Sequence, residues 1–159
     1  MTNNDVLRRI RYILDLGDDA MIAIFALAGR AVTRAEVSDW LKKDGDPALC
    51  EHCDADLACF LDGLIVDKRG PAPGGPRPPE SRIDNNLILM KLKIAFALSG
   101  DDMMEIIGST GQRMSKHEIS ALLRKPGHKH YRECMDQVLR NVLKGLQLRY
   151  RPGATSGSS

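Results

Sequence analysis

Residues 3–71 can be laid over residues 85–153 at a constant shift of 82 without opening a gap. Asn3-Asn4 falls on Asn85-Asn86, Leu7 on Leu89, Asp19 on Asp101, Met21 on Met103, Gly29 on Gly111, and Glu36 on Glu118. Further along, Ser38 falls on Ser120, Leu41 on Leu123, Asp54 on Asp136, and Gly63-Leu64 on Gly145-Leu146. Thr33 with Ser115, Val37 with Ile119 and Lys42 with Arg124 are conservative pairs of the same register. A tandem duplication restricts the fold, because whatever one copy forms the other must form as well. A copy of roughly 69 residues is marginal as an independent domain, so the two are expected to pack on one another with pseudo-two-fold symmetry.

Between the copies runs PAPGGPRPPESR, Pro71 to Arg82, with five of the chain's eight prolines. This composition supports neither helix nor central strand and reads as an extended linker. Its P-x-x-P pattern, Pro73 to Pro76, also suits an adaptor-domain ligand, but the linker reading is favoured. The expected organisation is a first helical repeat over 1–71, a linker over 72–84, a second repeat over 85–151 and a disordered tail over 152–159.

Each copy reads as four helices. Val6, Ile10, Ile13 and Leu14 recur at helical spacing, as do Ile88, Leu92, Ala95 and Phe96, with the Asn pairs read as caps. Asp18-Asp19 and Asp101-Asp102 open the second helices, where carboxylates suit the unsatisfied amides. Thr33-x-x-Glu36 and Ser115-x-x-Glu118 are capping boxes that open the third. The fourth are expected from about Asp54 to Lys68 and from about Tyr131 to Tyr150, with Met135, Val138, Leu139, Val142, Leu143 and Leu146 lining one face. With aromatics at only 4%, a β-sandwich or barrel is disfavoured, and 43% hydrophobic residues suffice for a core. The fold class is all-α.

The longest apolar run, Ala20 to Ala28, is about half of the ~20 residues a membrane span needs. MTNNDVLRRI lacks the apolar core of a signal peptide, so a cytoplasmic protein with reduced thiols is expected. Net charge is only +2, but it is unevenly distributed. Residues 1–71 hold nine basic and thirteen acidic side chains, whereas residues 85–159 hold twelve and six.

Cys50-x-x-Cys53, with His52 between and Cys59 downstream, is the most suggestive pattern for chemistry. A zinc site needs four ligands, and the first copy offers no second pair. His128, His130 and Cys134 could complete it, His130 and Cys134 being four apart and able to share a helix face. Under the shift, however, Cys50 falls on Arg132 and Cys53 on Met135, so the repeat does not require thiols there. Zinc binding or thiol redox chemistry at the Cys50/Cys53 pair is therefore the alternative, and buried or incidental thiols the preferred reading. No Ser-His-Asp arrangement and no phosphate-cradling glycine loop is present, so neither an enzymatic activity nor a cofactor is expected. Ala26 to Lys43 matches a DNA-binding helix-turn-helix poorly. Trp40, whose repeat counterpart is Leu122, reads as core rather than as a base-stacking platform.

The stronger lead is basic. Arg124, Lys125, Lys129, Arg132, Arg140, Lys144, Arg149 and Arg151 face only Glu133 and Asp136 in the same stretch. On a helical wheel Arg140, Lys144 and Arg151 fall within about 40° of one another, away from the leucine face. Such a stripe could follow a phosphate backbone, meet an acidic protein partner, or simply be solvated.

With NNDVLRRIRYILDL, FLDGLIVDKRG, NNLILMKLKIAFAL and PGHKHYRECMDQVLRNVLKGL in view, the chain resembles the YehS-like family from Asn3 to Tyr150 in both halves. These are bacterial proteins of about this length built from a duplicated domain of unknown function. The resemblance implies a helical bacterial protein and carries over no catalytic residues.

Overall fold

Short polar side chains placed just ahead of apolar runs cap five of the helices, at Thr2, Thr33, Asp84, Ser99 and Ser115. The computed structural model describes residues 1–42, 53–71, 73–75, 78 and 80–152. Cys50, His52, the linker residues Ala72, Pro76, Arg77 and Pro79, and the expected tail from 153 onward lie outside the described residues. Eight helices are present: α1 (Asn3–Leu14), α2 (Asp18–Leu27), α3 (Arg34–Trp40), α4 (Asp54–Arg69), α5 (Asn85–Ala95), α6 (Gly100–Gly108), α7 (Lys116–Leu123) and α8 (Asp136–Tyr150), with no strand among the described residues. Both expected capping boxes form, with Thr33 at α3 and Ser115 at α7, and Ser99 with Asp102 makes a third at α6.

The cap of α1 is Thr2, whose hydroxyl accepts from the Asp5 amide, and that of α5 is Asp84, which accepts from Leu87. The Asn pairs are therefore not caps, contrary to the sequence reading. They lie inside the first turn and reach outward to neighbouring elements. Asn3 Nδ2 donates to Asp54 Oδ1 at 2.7 Å, and Asn85 Nδ2 to Asp136 Oδ1 at 2.7 Å. Asn4 Nδ2 donates to the Trp40 carbonyl at 2.7 Å, and Asn86 Nδ2 to that of Leu122 at 2.9 Å. Each pair ties the first helix of its copy to the start of the fourth and to the end of the third.

The repeat extends to backbone detail. Asp15 and Ala97, the equivalent residues just past α1 and α5, both have φ of 53°. At the crossing of α2 on α4, a methyl group on Gly63 would lie 1.9 Å from the Ile24 carbonyl oxygen; at the crossing of α6 on α8, one on Gly145 would lie 2.3 Å from that of Ile106. These glycines let two backbones touch, which explains why Gly63-Leu64 recurs as Gly145-Leu146.

The copies exchange helix faces. Helix α4 packs more extensively on α5 of the other copy than on its own α1, and α8 packs reciprocally on α1. The pairs run parallel. The Ile83 amide, just before α5, donates to Asp54 Oδ2 at the start of α4, and Lys91 Nζ meets Asp62 Oδ1 at 2.5 Å further along both. In the reciprocal pair the Met1 ammonium meets Asp136 Oδ2 at 2.6 Å, while Arg151 at the end of α8 donates to the Tyr12 carbonyl near the end of α1. One continuous core spans both copies, from Leu7, Phe25, Phe60 and Leu64 to Leu89, Met103, Leu143 and Leu146. Trp40 is 4% exposed and packs against Phe25, as its repeat counterpart suggested.

Helix α8 begins at Asp136, five residues later than expected. The preceding backbone is bonded elsewhere: the Arg132 amide donates to the Ala121 carbonyl, the Cys134 amide to Asn86 Oδ1, and Asn86 Nδ2 to the Arg132 carbonyl. Those tertiary bonds replace the first helical turn. Met135, expected on the apolar face, is accordingly an exposed N-cap residue, while Leu139, Val142, Leu143 and Leu146 are buried as expected.

Candidate functional site

The eight candidate cations do not form one stripe, because folding places acids beside three of them. Arg132 pairs with Glu118 at 3.4 Å and Arg149 with Asp102 at 3.4 Å. Arg151 turns onto the first copy, where its guanidinium lies 4.6 Å from the centre of the Tyr12 ring and 3.4 Å from Asp15. Both carboxyls in the second copy are held below the ordinary carboxylate range. The cause in each is first the backbone amide of its cap, Ser99 for Asp102 and Ser115 for Glu118, with the arginine adding to it.

The remaining five cations are exposed and have no ion pair among the described residues. They fall into two groups. Arg124, Lys125 and Lys129 sit in the connection between α7 and α8, whereas Arg140 and Lys144 lie one turn apart on α8. This second pair borders α1, and α1 contributes Arg8, Arg9 and Arg11. Arg9 turns back along its own helix to Asp5 at 3.4 Å, and Arg8 donates to the Lys42 carbonyl at 2.5 Å. At the C-terminal end of the α1/α8 pair, Arg8, Arg11, Tyr12, Asp15, Leu16, Leu41 and Arg151 line an open cavity of about 360 Å³. Arg11 Nε there is buried without a hydrogen-bond acceptor. Each of the three guanidiniums there already has an acid, Arg8 with Asp5 at 3.4 Å, Arg11 with Asp18 at 3.6 Å and Arg151 with Asp15 at 3.4 Å.

The sequence reading missed the contribution of α1, although the internal alignment contained a signal for it. Under the shift, Lys91 falls on Arg9 and Asp62 on Lys144. A charge pair across one interface between the copies is therefore matched by two cations across the other.

Among the described residues the thiols and histidines do not converge. Cys53 is exposed, with its Sγ 3.0 Å from Asp56 Oδ2, and slight burial and that carboxylate raise its pKa. Cys59 is buried. Cys134 is also buried, and desolvation, followed by the charges of Asp136 and Asp84, pushes its thiol up to about 11, far from a reactive thiolate. His128 and His130 lie in the exposed connection with their rings tilted at 40° and 5.6 Å apart, and the His130 amide donates to His128 Nδ1. Neither His130 nor Cys134 is helical, so the shared helix face proposed for them does not exist. No group of three or more His, Cys, Asp or Glu side chains able to hold a metal occurs among the described residues. Nor is any helix among them long and apolar enough to cross a membrane.

Two unequal surfaces on duplicated four-helix copies are thus the features to set against known proteins. A family described as "Protein of unknown function (DUF1456)" matches twice, over residues 3–70 and 85–152. The chain belongs to this family. Each match covers one four-helix copy, and together they leave out the Pro/Gly-rich segment. The "Uncharacterized protein YehS" of Escherichia coli (strain K12) is 42% identical over 150 residues, covering 94% of this chain and 96% of the relative. No solved structure matches.

Proposed function

We propose that this protein is a non-catalytic recognition module of the cytoplasm that engages an anionic partner through the exposed cations of its second copy. The observation that carries this reading is the fate of the basic side chains. Internal acids meet Arg132, Arg149 and Arg151, while Arg124, Lys125, Lys129 and Lys144 stay exposed without an ion pair among the described residues, and exposed Arg140 has only the charge of Asp136, four residues before it, nearby. Exposed single-sign charge of this kind steers an oppositely charged macromolecule and selects against like-charged ones.

Affinity capture from a bacterial lysate on the immobilised full chain, with and without nuclease, tests the proposal. A retained species that elutes as salt rises, and is reduced when Arg140 and Lys144 are replaced by Ala, is the expected result. Survival after nuclease treatment identifies an acidic protein, and loss identifies nucleic acid. Absence of any retained anion, or stoichiometric zinc in protein purified without added metal, overturns the reading.

A further inference from the structure

We propose that the groove between α1 and α8 is a docking site for an extended acidic peptide segment whose carboxylates meet the cations there, as Glu80 meets Lys91 of α5. The inference rests on the recognition reading above and locates it. Because α4 and α5 are parallel, the connection from Gly70 to Ile83 has to return along the 16-residue α4, about 24 Å. On that return Glu80 Oε1 reaches Lys91 Nζ at 3.1 Å, which also meets Asp62. Lys91 is thereby 8% exposed, and Ala58, one turn before Asp62, is fully buried.

The pseudo-two-fold relation carries each of these positions to the α1/α8 pair. Lys91 becomes Arg9, Asp62 becomes Lys144 and Ala58 becomes Arg140. Both α8 cations are exposed, and Arg9 is 32% exposed. On this side the acids near these cations come from their own helices, Asp5 on α1 at 3.4 Å from Arg9 and Asp136 on α8 towards Arg140, and Lys144 has no ion pair among the described residues. Three cations thus occupy positions that, on the other side, hold one lysine, one aspartate and one alanine.

The spacing defines the ligand further. Arg140 and Lys144 are four residues apart on a helix, about 6 Å along its axis. In a polyproline-type segment alternate residues are separated by about 6.2 Å. The groove therefore suits acidic side chains at every second position.

Fluorescence anisotropy with a labelled (Glu-Pro)4 peptide on the full chain tests this, with (Ser-Pro)4 and a twelve-nucleotide oligothymidylate as comparisons. The informative variant is Lys144→Asp, which recreates opposite Arg9 the acid that Asp62 presents to Lys91. Binding of the Glu peptide, but not the Ser peptide, should weaken by about tenfold or more in this variant. Its melting temperature should stay level or rise, separating lost recognition from lost folding. Replacing Arg124, Lys125 and Lys129 together with Ala should leave peptide affinity within about twofold. Unchanged binding by Lys144→Asp, or loss of binding in the loop variant, overturns the groove while leaving the recognition reading standing. Tighter binding of the oligothymidylate, with the same sensitivity to Lys144→Asp, overturns the peptide as occupant. If neither probe binds and lysate capture also fails, the groove and the recognition reading fall together.

Discussion

The two interfaces between the copies use the same helices in the same direction and differ in what covers them. Along α4 and α5, one lysine is enclosed by Asp62 and by Glu80 of the returning linker. Along α1 and α8, Arg9 and Lys144 stand at the positions of Lys91 and Asp62, and Arg140 at that of Ala58. The apolar contacts between the copies are retained on both sides, while the rim charge has inverted. Fold and charge are therefore separable here: the buried leucines hold the two copies together, and the rim is free to differ.

The largest effect is expected where the two copies are most alike. Gly63→Ala places a methyl group against a backbone carbonyl that cannot yield, and overpacking of this kind costs ~3 kcal/mol or more. Gly145→Ala, with a slightly wider gap, should cost somewhat less, and urea unfolding of the two variants ranks the crossings. Asn86→Ala removes the donors to the Leu122 and Arg132 carbonyls and the acceptor of the Cys134 amide, about 2 kcal/mol by the same measurement. Lys91→Ala leaves Asp62 and Glu80 without their shared cation. Since both acids keep some solvent, ~1 kcal/mol is expected, and Lys91→Met should recover most of it.

The smallest effect is in the acid range. The Asp136 carboxyl is held below the ordinary range, first by the Met1 ammonium and then by Asn85. A carboxyl depressed by folding adds stability above its unfolded pKa, and that stability is lost as pH falls through the folded value. Asp136→Asn should therefore lower stability at neutral pH and flatten its decline below about pH 4, read from urea midpoints across pH. An unchanged acid limb would show that the contact does not hold the α8 end of this interface.

Much of the fold was legible because a duplication supplies its own alignment. The shift of 82 marked both copies, the helices in each, and Gly63 and Gly145 as a pair. It did not reveal that those glycines sit under backbone carbonyls, since the partner helix is identified only by packing. The Asn pairs looked like caps because Asn caps helices often, and their actual acceptors are 36 to 51 residues distant. The start of α8 was misplaced because Tyr131, Cys134 and Met135 continue the apolar period upstream, while tertiary bonds had claimed that backbone. The candidate site was half legible. A helical wheel groups Arg151 with Arg140 and Lys144, but cannot foresee that Tyr12 and Asp15 take Arg151, or that α1 adds Arg9 from the other copy.

The exchange of helix faces has an ancestral consequence. A chain containing one copy would leave the outer face of its fourth helix bare and could cover it only by meeting a twin, first helix against fourth, twice over. Duplication with a proline-rich tether makes such a pair covalent. Assembly then no longer depends on concentration, since the second half is always present at the effective molarity set by the tether. A symmetric pair must also change both rims at once, whereas a joined one can keep an acid at residue 62 and place a lysine at residue 144.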